Sequence, residues 1–320
     1  MNYTPQNLVG SPDEVRWKGE GRMGQRRFQV LVGMGLAFGM LLTACSKSSG
    51  GNLNTIDTFG AKKDSALADK VPAALKSKGT LTVATDASYA PDEFFATDNK
   101  TIIGMSVDLG KSIGAVLGLD FNFVNTSFST IIPGLTSGKF DVGISSFTDS
   151  KVREQTVDMV DYFTAGESIF VKSDGTAYKS LSEMCGLAVS AELGTIEADD
   201  ATAASKVCQS SGKQPIKLLT FQDQNAANLA LSSGRAVASL ADSQVAEYQV
   251  KLSNGKFKVA SEYVAPAPYG MACPKGNGLA QSILAALNEL KSNGIYKQIL
   301  DRWGISSGAL TSFGINGATS

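Results

Sequence analysis

Twice along this chain, short β-branched runs alternate with segments of helical spacing, and few folds accept that pattern. "GTLTVATD" (Gly79–Asp86) alternates and is β-branched, which predicts a strand. "SVDLGKSIGAVLG" places Val107, Leu109, Ile113, Val116 and Leu117 at helical spacing. "LDFNFVN" predicts a second strand, "FSTIIPGLTSGK" a short helix ending at Gly138, and "FDVGISS" a third strand. The order βαβαβ argues for a mostly parallel sheet with helices on both faces. The pattern then restarts. "GLAVSAE", "IKLLTF" and "AVASLAD" predict strands, each followed by a helical segment: "GTIEADDATAASKVC", "QDQNAANLALSSGR" and "SQVAEYQVKLS".

Two stretches, "TAGESIFVKS" and "APAPYGMACP", join the repeats, and helices over "LAQSILAALNELKSNGIYKQILDRWG" follow the second. Two joins predict that the chain crosses to a second lobe and returns. The expected fold class is α/β with two lobes. Residues 73–168 with 270–320 form lobe 1, and 169–269 form lobe 2. Each lobe is expected to be a mainly parallel sheet flanked by helices. A cleft between two lobes is a natural ligand site.

Composition narrows the chemistry. The 320 residues are 43% hydrophobic and 18% charged, enough for two domains of ordinary size. There is no histidine, so Ser-His and Cys-His nucleophile pairs and histidine metal sites are excluded. The net charge of -1 and the lack of a basic stripe give no reason to expect nucleic acid. No cofactor or metal is implied.

The N-terminal segment predicts export. Arg26 and Arg27 precede an apolar run from Phe28 to Leu42, too short and Gly-rich for a comfortable membrane span. Charged start, apolar middle and small residues at the end make residues 1–44 a secretory signal. Asp13, Glu14 and Glu20 are unlike a signal start, which points to Met23 as the true one. The signal ends in "LTAC", which resembles the lipobox of bacterial lipoproteins; that resemblance makes Cys45 the lipid-modified N-terminus. Residues 45–72, opening "CSKSSGGNLNT", read as a flexible tether. In an oxidising compartment Cys185 and Cys208, 23 positions apart around a helical run, are expected to pair. Cys273 reads as a buried thiol in an apolar strand, and pairings that include it stay open.

From Gly79 to Gly304 the chain resembles the bacterial extracellular solute-binding proteins of family 3, the amino-acid receptors of ABC importers. The stretches that carry the resemblance are "TDASYAPDEF", "GMSVDLGKSIG", "FSTIIPGLTSGKFDVG", "SSFTDSKVRE", "LGTIEADD", "ASLADSQVAEY" and "YGMACPKGN". Ser106 departs from the aspartate usual there and is expected to lie away from the ligand. The resemblance implies a periplasmic-binding fold and a ligand site assembled from matched residues. Arg153 would grip the ligand α-carboxylate, with Thr148 donating to it, Ser146 beside Thr148, and Thr195 closing on it from the second lobe. Asp242 would take the α-ammonium, Tyr89 and Phe128 would sandwich the side chain, and Asp86 would lie near its far end. Glu192 is a further specificity candidate, and Asp92 and Glu93 stand near the expected side-chain pocket.

The chemistry suits those residue types. An amino acid carries a carboxylate and an ammonium, and burying either unpaired costs several kcal/mol. Arginine's fork meets a carboxylate bidentately. Gly194-Thr195 opens a helix whose free N–H groups favour an anion. Taken singly, each residue also has a structural role: Asp242 as an N-cap, Tyr89 and Phe128 as core aromatics, Asp108 as a helix-start charge.

The function implied is an extracytoplasmic, lipid-anchored receptor for an amino acid, polar or cationic by preference because of Asp86 and Glu192. It is expected to be a monomer that delivers its ligand to an ABC permease. It would touch the membrane only through its anchor. The rival enzyme reading is a fold-related dehydratase of cyclohexadienyl type with Glu192 as its acid. A third class, the ligand-binding half of a sensor or wall-cleaving enzyme, would need a further domain after "TSFGINGATS".

Overall fold

The computed structural model describes residues 53–318. The signal (1–44), Met23, Cys45 and the first part of the tether lie outside the described residues. The strands are β1 (Thr80–Thr85), β2 (Ser88–Tyr89), β3 (Glu93–Phe95), β4 (Ile102–Ile103), β5 (Asp120–Asn125) and β6 (Val142–Thr148). They continue as β7 (Val157–Lys172), β8 (Ala188–Glu192), β9 (Lys217–Phe221), β10 (Ala238–Asp242) and β11 (Phe257–Pro274). The helices are α1 (Ser65–Lys70), α2 (Ala73–Lys78), α3 (Met105–Leu117), α4 (Ile131–Thr136) and α5 (Lys151–Glu154). After them come α6 (Ile196–Ser210), α7 (Gln224–Ser232), α8 (Ser243–Leu252), α9 (Leu279–Ser292) and α10 (Ile295–Trp303).

Eight strands hydrogen-bond in the order β5-β1-β6-β11-β7-β10-β8-β9. The outer groups are parallel, β5-β1-β6 at one end and β10-β8-β9 at the other. Between them β7 and β11 run antiparallel, pairing from Phe257↔Lys172 to Pro274↔Val157. The two joins are therefore not loops but parts of these two long strands. Pro266 falls where the β11 ladder shifts register, between Val264 and Ala267, and Pro268 stands opposite Thr164. A small sheet, β2-β3-β4, has no counterpart in the sequence reading.

The apolar periodicity finds its partners in separate clusters. On α3, Val107, Leu109, Ile113, Val116 and Leu117 are all buried. Leu109, Ile113, Val116 and Leu117 pack with Leu81, Phe121 and Ile144 of the sheet and with Ile283, Leu287 and Ile299 of α9 and α10. Truncating Leu109 or Ile113 to alanine would cost about 2–5 kcal/mol. Gly118 ends α3 in the left-handed conformation (φ 67°), which a residue with a Cβ resists. A second cluster joins Ile169, Val171, Val189 and Leu240 to Ala198, Ala201 and Cys208 of α6. Cys185 and Cys208 are disulfide-bonded at its edge, and Cys273 is a buried thiol in the first cluster.

Two readings need correction. Residues 53–72 are not a free tether. Asn54 Nδ2 donates to Thr97 Oγ1, the Asp57 N–H to Asp108, and Phe59, Ala61 and Leu67 pack on the first cluster. Nor is Asp108 only a helix-start charge. It is fully buried and accepts from Asp57 N, Arg302 Nη1 (2.9 Å) and Trp303 Nε1 (2.8 Å). It thus ties the N-terminal segment and α10 to α3.

Candidate functional site

The site forms where strands end. Asp86 follows β1, Ser145, Ser146 and Thr148 close β6, Glu192 closes β8 and Asp242 closes β10. In α/β sheets the carboxyl ends of parallel strands are where ligands bind. Two helix starts complete the set. Ser150 Oγ accepts from the Arg153 N–H and caps α5, which fixes Arg153 in the first turn. Thr195 Oγ1 accepts from Ala198 N and caps α6, while donating to Glu192 O at 2.9 Å. Gly194 before it has φ 88°, and a Cβ there would come within 3.0 Å of Ser129 Cβ, so only glycine fits.

All eight expected ligand residues and Glu192 line one pocket, together with Ser145, Ile196 and Glu197. The Arg153 guanidinium lies over Phe128 and Phe147, 5.4 and 5.3 Å from their ring centres, and those rings stack at 4.5 Å. It donates to Thr148 O (2.8 Å) on one side and to Gly194 O (3.1 Å) on the other. Tyr89 Oη donates to Asp242 Oδ2 (2.8 Å) and accepts from Asp242 N (3.1 Å). The Gln224 N–H donates to Ser88 Oγ at 3.0 Å. These bonds join elements around β1 and β6 to elements around β8 and β10 directly across the pocket.

The pocket is strongly acidic. Asp86, Glu192, Glu197 and Asp242 face one guanidinium. Burial raises the pKa of Asp86. Burial first, and then the Asp86 charge, pushes Glu192 well up. Glu192 Oε1 is buried without a hydrogen-bond partner. Asp242 is pushed well up by burial and by Glu197, and Glu197 is raised by burial. Behind them burial and Glu197 raise Glu167 to about 8, with Tyr263 Oη donating to it. Burial also lowers the Arg153 pKa. Four buried carboxyls cannot all ionise against one arginine, so the pocket favours a ligand that brings positive charge.

Several details differ from the sequence reading. Asp242 makes no capping bond with its side chain, which faces Tyr89 instead. Ser146 lines the pocket, but its hydroxyl points to Asp92 and Glu93 (3.1 and 2.8 Å), and its backbone is left-handed (φ 51°). Asp92 and Glu93 are buried away from the pocket lining. Ser106, outside the lining as expected, pairs with Tyr162 Oη at 3.3 Å. Glu197 was not foreseen, because an acidic residue in a helix's first turn also reads as a dipole charge. Ser145 takes part through Oγ, which accepts from Asp86 N.

The profile of the bacterial extracellular solute-binding proteins, family 3, matches residues 81–306. The arginine-binding protein ArgT of Corynebacterium glutamicum is 34% identical over 247 residues, 77% of this chain and 81% of that protein. The ABC transporter glutamine-binding protein GlnH of Bacillus subtilis is 29% identical over 82% of this chain and 92% of its own length. Among solved structures, an ancestral arginine-binding protein bound to arginine superposes with a TM-score of 0.65 at 36% identity. That match covers 70% of this chain and 98% of the other.

Proposed function

The chain belongs to the bacterial extracellular solute-binding proteins, family 3, and on that premise we propose that it is an extracytoplasmic amino-acid receptor that prefers a cationic side chain. The observation that carries the preference is the acidic pocket, above all Glu192 Oε1, buried beside Asp86 with no partner. Arg153 holds the ligand carboxylate, with Thr148 and the N–H groups opening α6 beside it. Asp242 takes the ammonium. Phe128 and Tyr89 flank the side chain, whose cationic end meets Asp86 and Glu192.

The ligand is handed to an ABC permease. Its capture is a population shift, because the groups that hold it come from lobe 1 (73–168 and 270–320) and lobe 2 (169–269) and meet only on closure. The chain acts as a monomer and is held to the membrane by a lipid on Cys45. No helix among the described residues is long and apolar enough to cross a membrane. A receptor rather than an enzyme is favoured because its relatives are binding proteins of transport systems.

A thermal-shift screen of the twenty L-amino acids tests the reading. A ligand at one hundred times its Kd adds about 2.7 kcal/mol, or roughly 5–10 °C for a body of this size. Arginine or lysine should give the largest shift. No shift with any amino acid refutes the receptor reading.

A further inference from the structure

Behind the pocket lies a second set of buried polar groups. Asp92 and Glu93 lead into β3 and are both fully buried. Between them sits one hydroxyl, Ser146 Oγ, 2.8 Å from Glu93 Oε1 and 3.1 Å from Asp92 Oδ2. Gln244 Nε2 donates to the same Asp92 oxygen at 2.6 Å and to Tyr269 Oη at 2.8 Å. Gln244 stands on the first turn of α8, two residues past Asp242. Among the described residues no lysine or arginine is bonded to the group; the other titratable side chains that interact with it are Asp86, Tyr162 and Tyr269.

One hydroxyl proton cannot serve two carboxylates. Two adjacent anions without a cation are also costly to bury. A single proton on Glu93 resolves both problems. The Glu93 carboxyl then donates to Ser146 Oγ, Ser146 donates to Asp92, and the Asp92 anion also accepts the Gln244 amide. The reverse placement is worse, because Asp92 Oδ2 already receives the Gln244 amide, which favours its ionised form, while Glu93 Oε2 has no hydrogen-bond partner. Burial acts in the same direction, raising Asp92 to about 7 and Glu93 well above its usual range.

We propose that Glu93, Ser146, Asp92 and Gln244 form one directed hydrogen-bond chain, its proton on Glu93, that latches the first turn of α8 behind the cleft and thereby positions Asp242 for the ligand. The chain turns the Ser146 hydroxyl to the rear, so Ser146 presents its main chain to the ligand. Glu93, Asp92 and Gln244 are positioning residues and do not touch ligand.

The affinity arm of the test rests on the receptor reading; the spectroscopic arm does not. With L-arginine as probe, calorimetry on Gln244→Leu should show affinity reduced roughly 10- to 100-fold, the range for losing a hydrogen bond to a charged group. Glu93→Gln keeps a neutral donor to Ser146 and should bind within about threefold of the parent, whereas Glu93→Leu should lose affinity like Gln244→Leu. Infrared difference spectra of the ligand-free protein at neutral pH, parent minus variant, should show the loss of one protonated-carboxyl component in Glu93→Gln and no such loss in Asp92→Asn, above the bands of Glu167, Glu192 and Asp242, which are common to all three proteins. Parent-like affinity in Gln244→Leu overturns the latch, and an unchanged carboxyl band in Glu93→Gln overturns the proton assignment. If the parent itself does not bind L-arginine, the cationic preference fails, and the infrared arm still decides where the proton sits.

Discussion

Replacing Arg153 with alanine removes three things at once. Thr148 O and Gly194 O lose donors at 2.8 and 3.1 Å, the pair of bonds that ties β6 to the start of α6. Phe128 and Phe147 lose the cation that covers them. A ligand carboxylate loses its only guanidinium among the pocket residues. Truncating one partner of a buried charge pair costs about 2–5 kcal/mol, so affinity should fall roughly 30- to 4000-fold. Arg153→Lys keeps the charge but not the planar fork, so it should recover part of the loss and not all of it. Calorimetry with L-arginine on the parent and both variants reads the effect, with circular dichroism to confirm the fold. Affinity of Arg153→Ala within threefold of the parent, in a folded protein, refutes the assignment of this arginine to the carboxylate.

Two further outcomes follow from the same structure, and a third from the lipobox-like "LTAC" of the sequence. Removing the Cys185–Cys208 bridge as a double alanine variant opens a loop of 23 residues, worth about 3 kcal/mol on the chain-entropy model. The midpoint should fall roughly 6–12 °C in a thermal melt, and an unchanged midpoint would deny the bridge a stabilising role. Because burial raises Asp86 and Glu192, both hold protons more readily in the pocket than in water. A cationic ligand needs them ionised, so calorimetric affinity for arginine should weaken as pH falls from about 8 to about 5. Glu192→Gln should flatten that slope, and a parent affinity that strengthens in acid would contradict the sign. Cys45→Ala should abolish incorporation of labelled palmitate; continued labelling would place the lipid elsewhere.

How much of this was legible depends on how locally each feature is encoded. β1 shows in its β-branched, alternating run and α3 in its 3.6-residue spacing, because burial selects apolar residues at those periods. The small sheet did not show: β2 and β4 have two residues each, too few for a period. The length of β7 and β11 was not legible, because Gly166, Pro266 and Pro268 interrupt a strand period, and surplus residues on β11 itself shift the register between Glu262 and Ala267. At the site, Arg153 and Asp242 were found through motif order. Glu197 is brought to the pocket by its place after Thr195 on α6, and that position has an ordinary local reading. Asp92 and Glu93 were read as pocket acids from proximity in sequence. Their burial against Ser146 and Gln244 depends on α8, some 150 positions away, which no local pattern encodes.

The central claim is that an over-acidic cleft selects a cationic amino acid. Its most direct test is competition of L-arginine, lysine, glutamine, glutamate and leucine for one labelled ligand, on the parent and on Asp86→Asn and Glu192→Gln. The account predicts that arginine or lysine wins on the parent and that each substitution weakens the cation more than it weakens glutamine. Leucine or glutamate winning on the parent, or a cation unaffected by both substitutions, would contradict it.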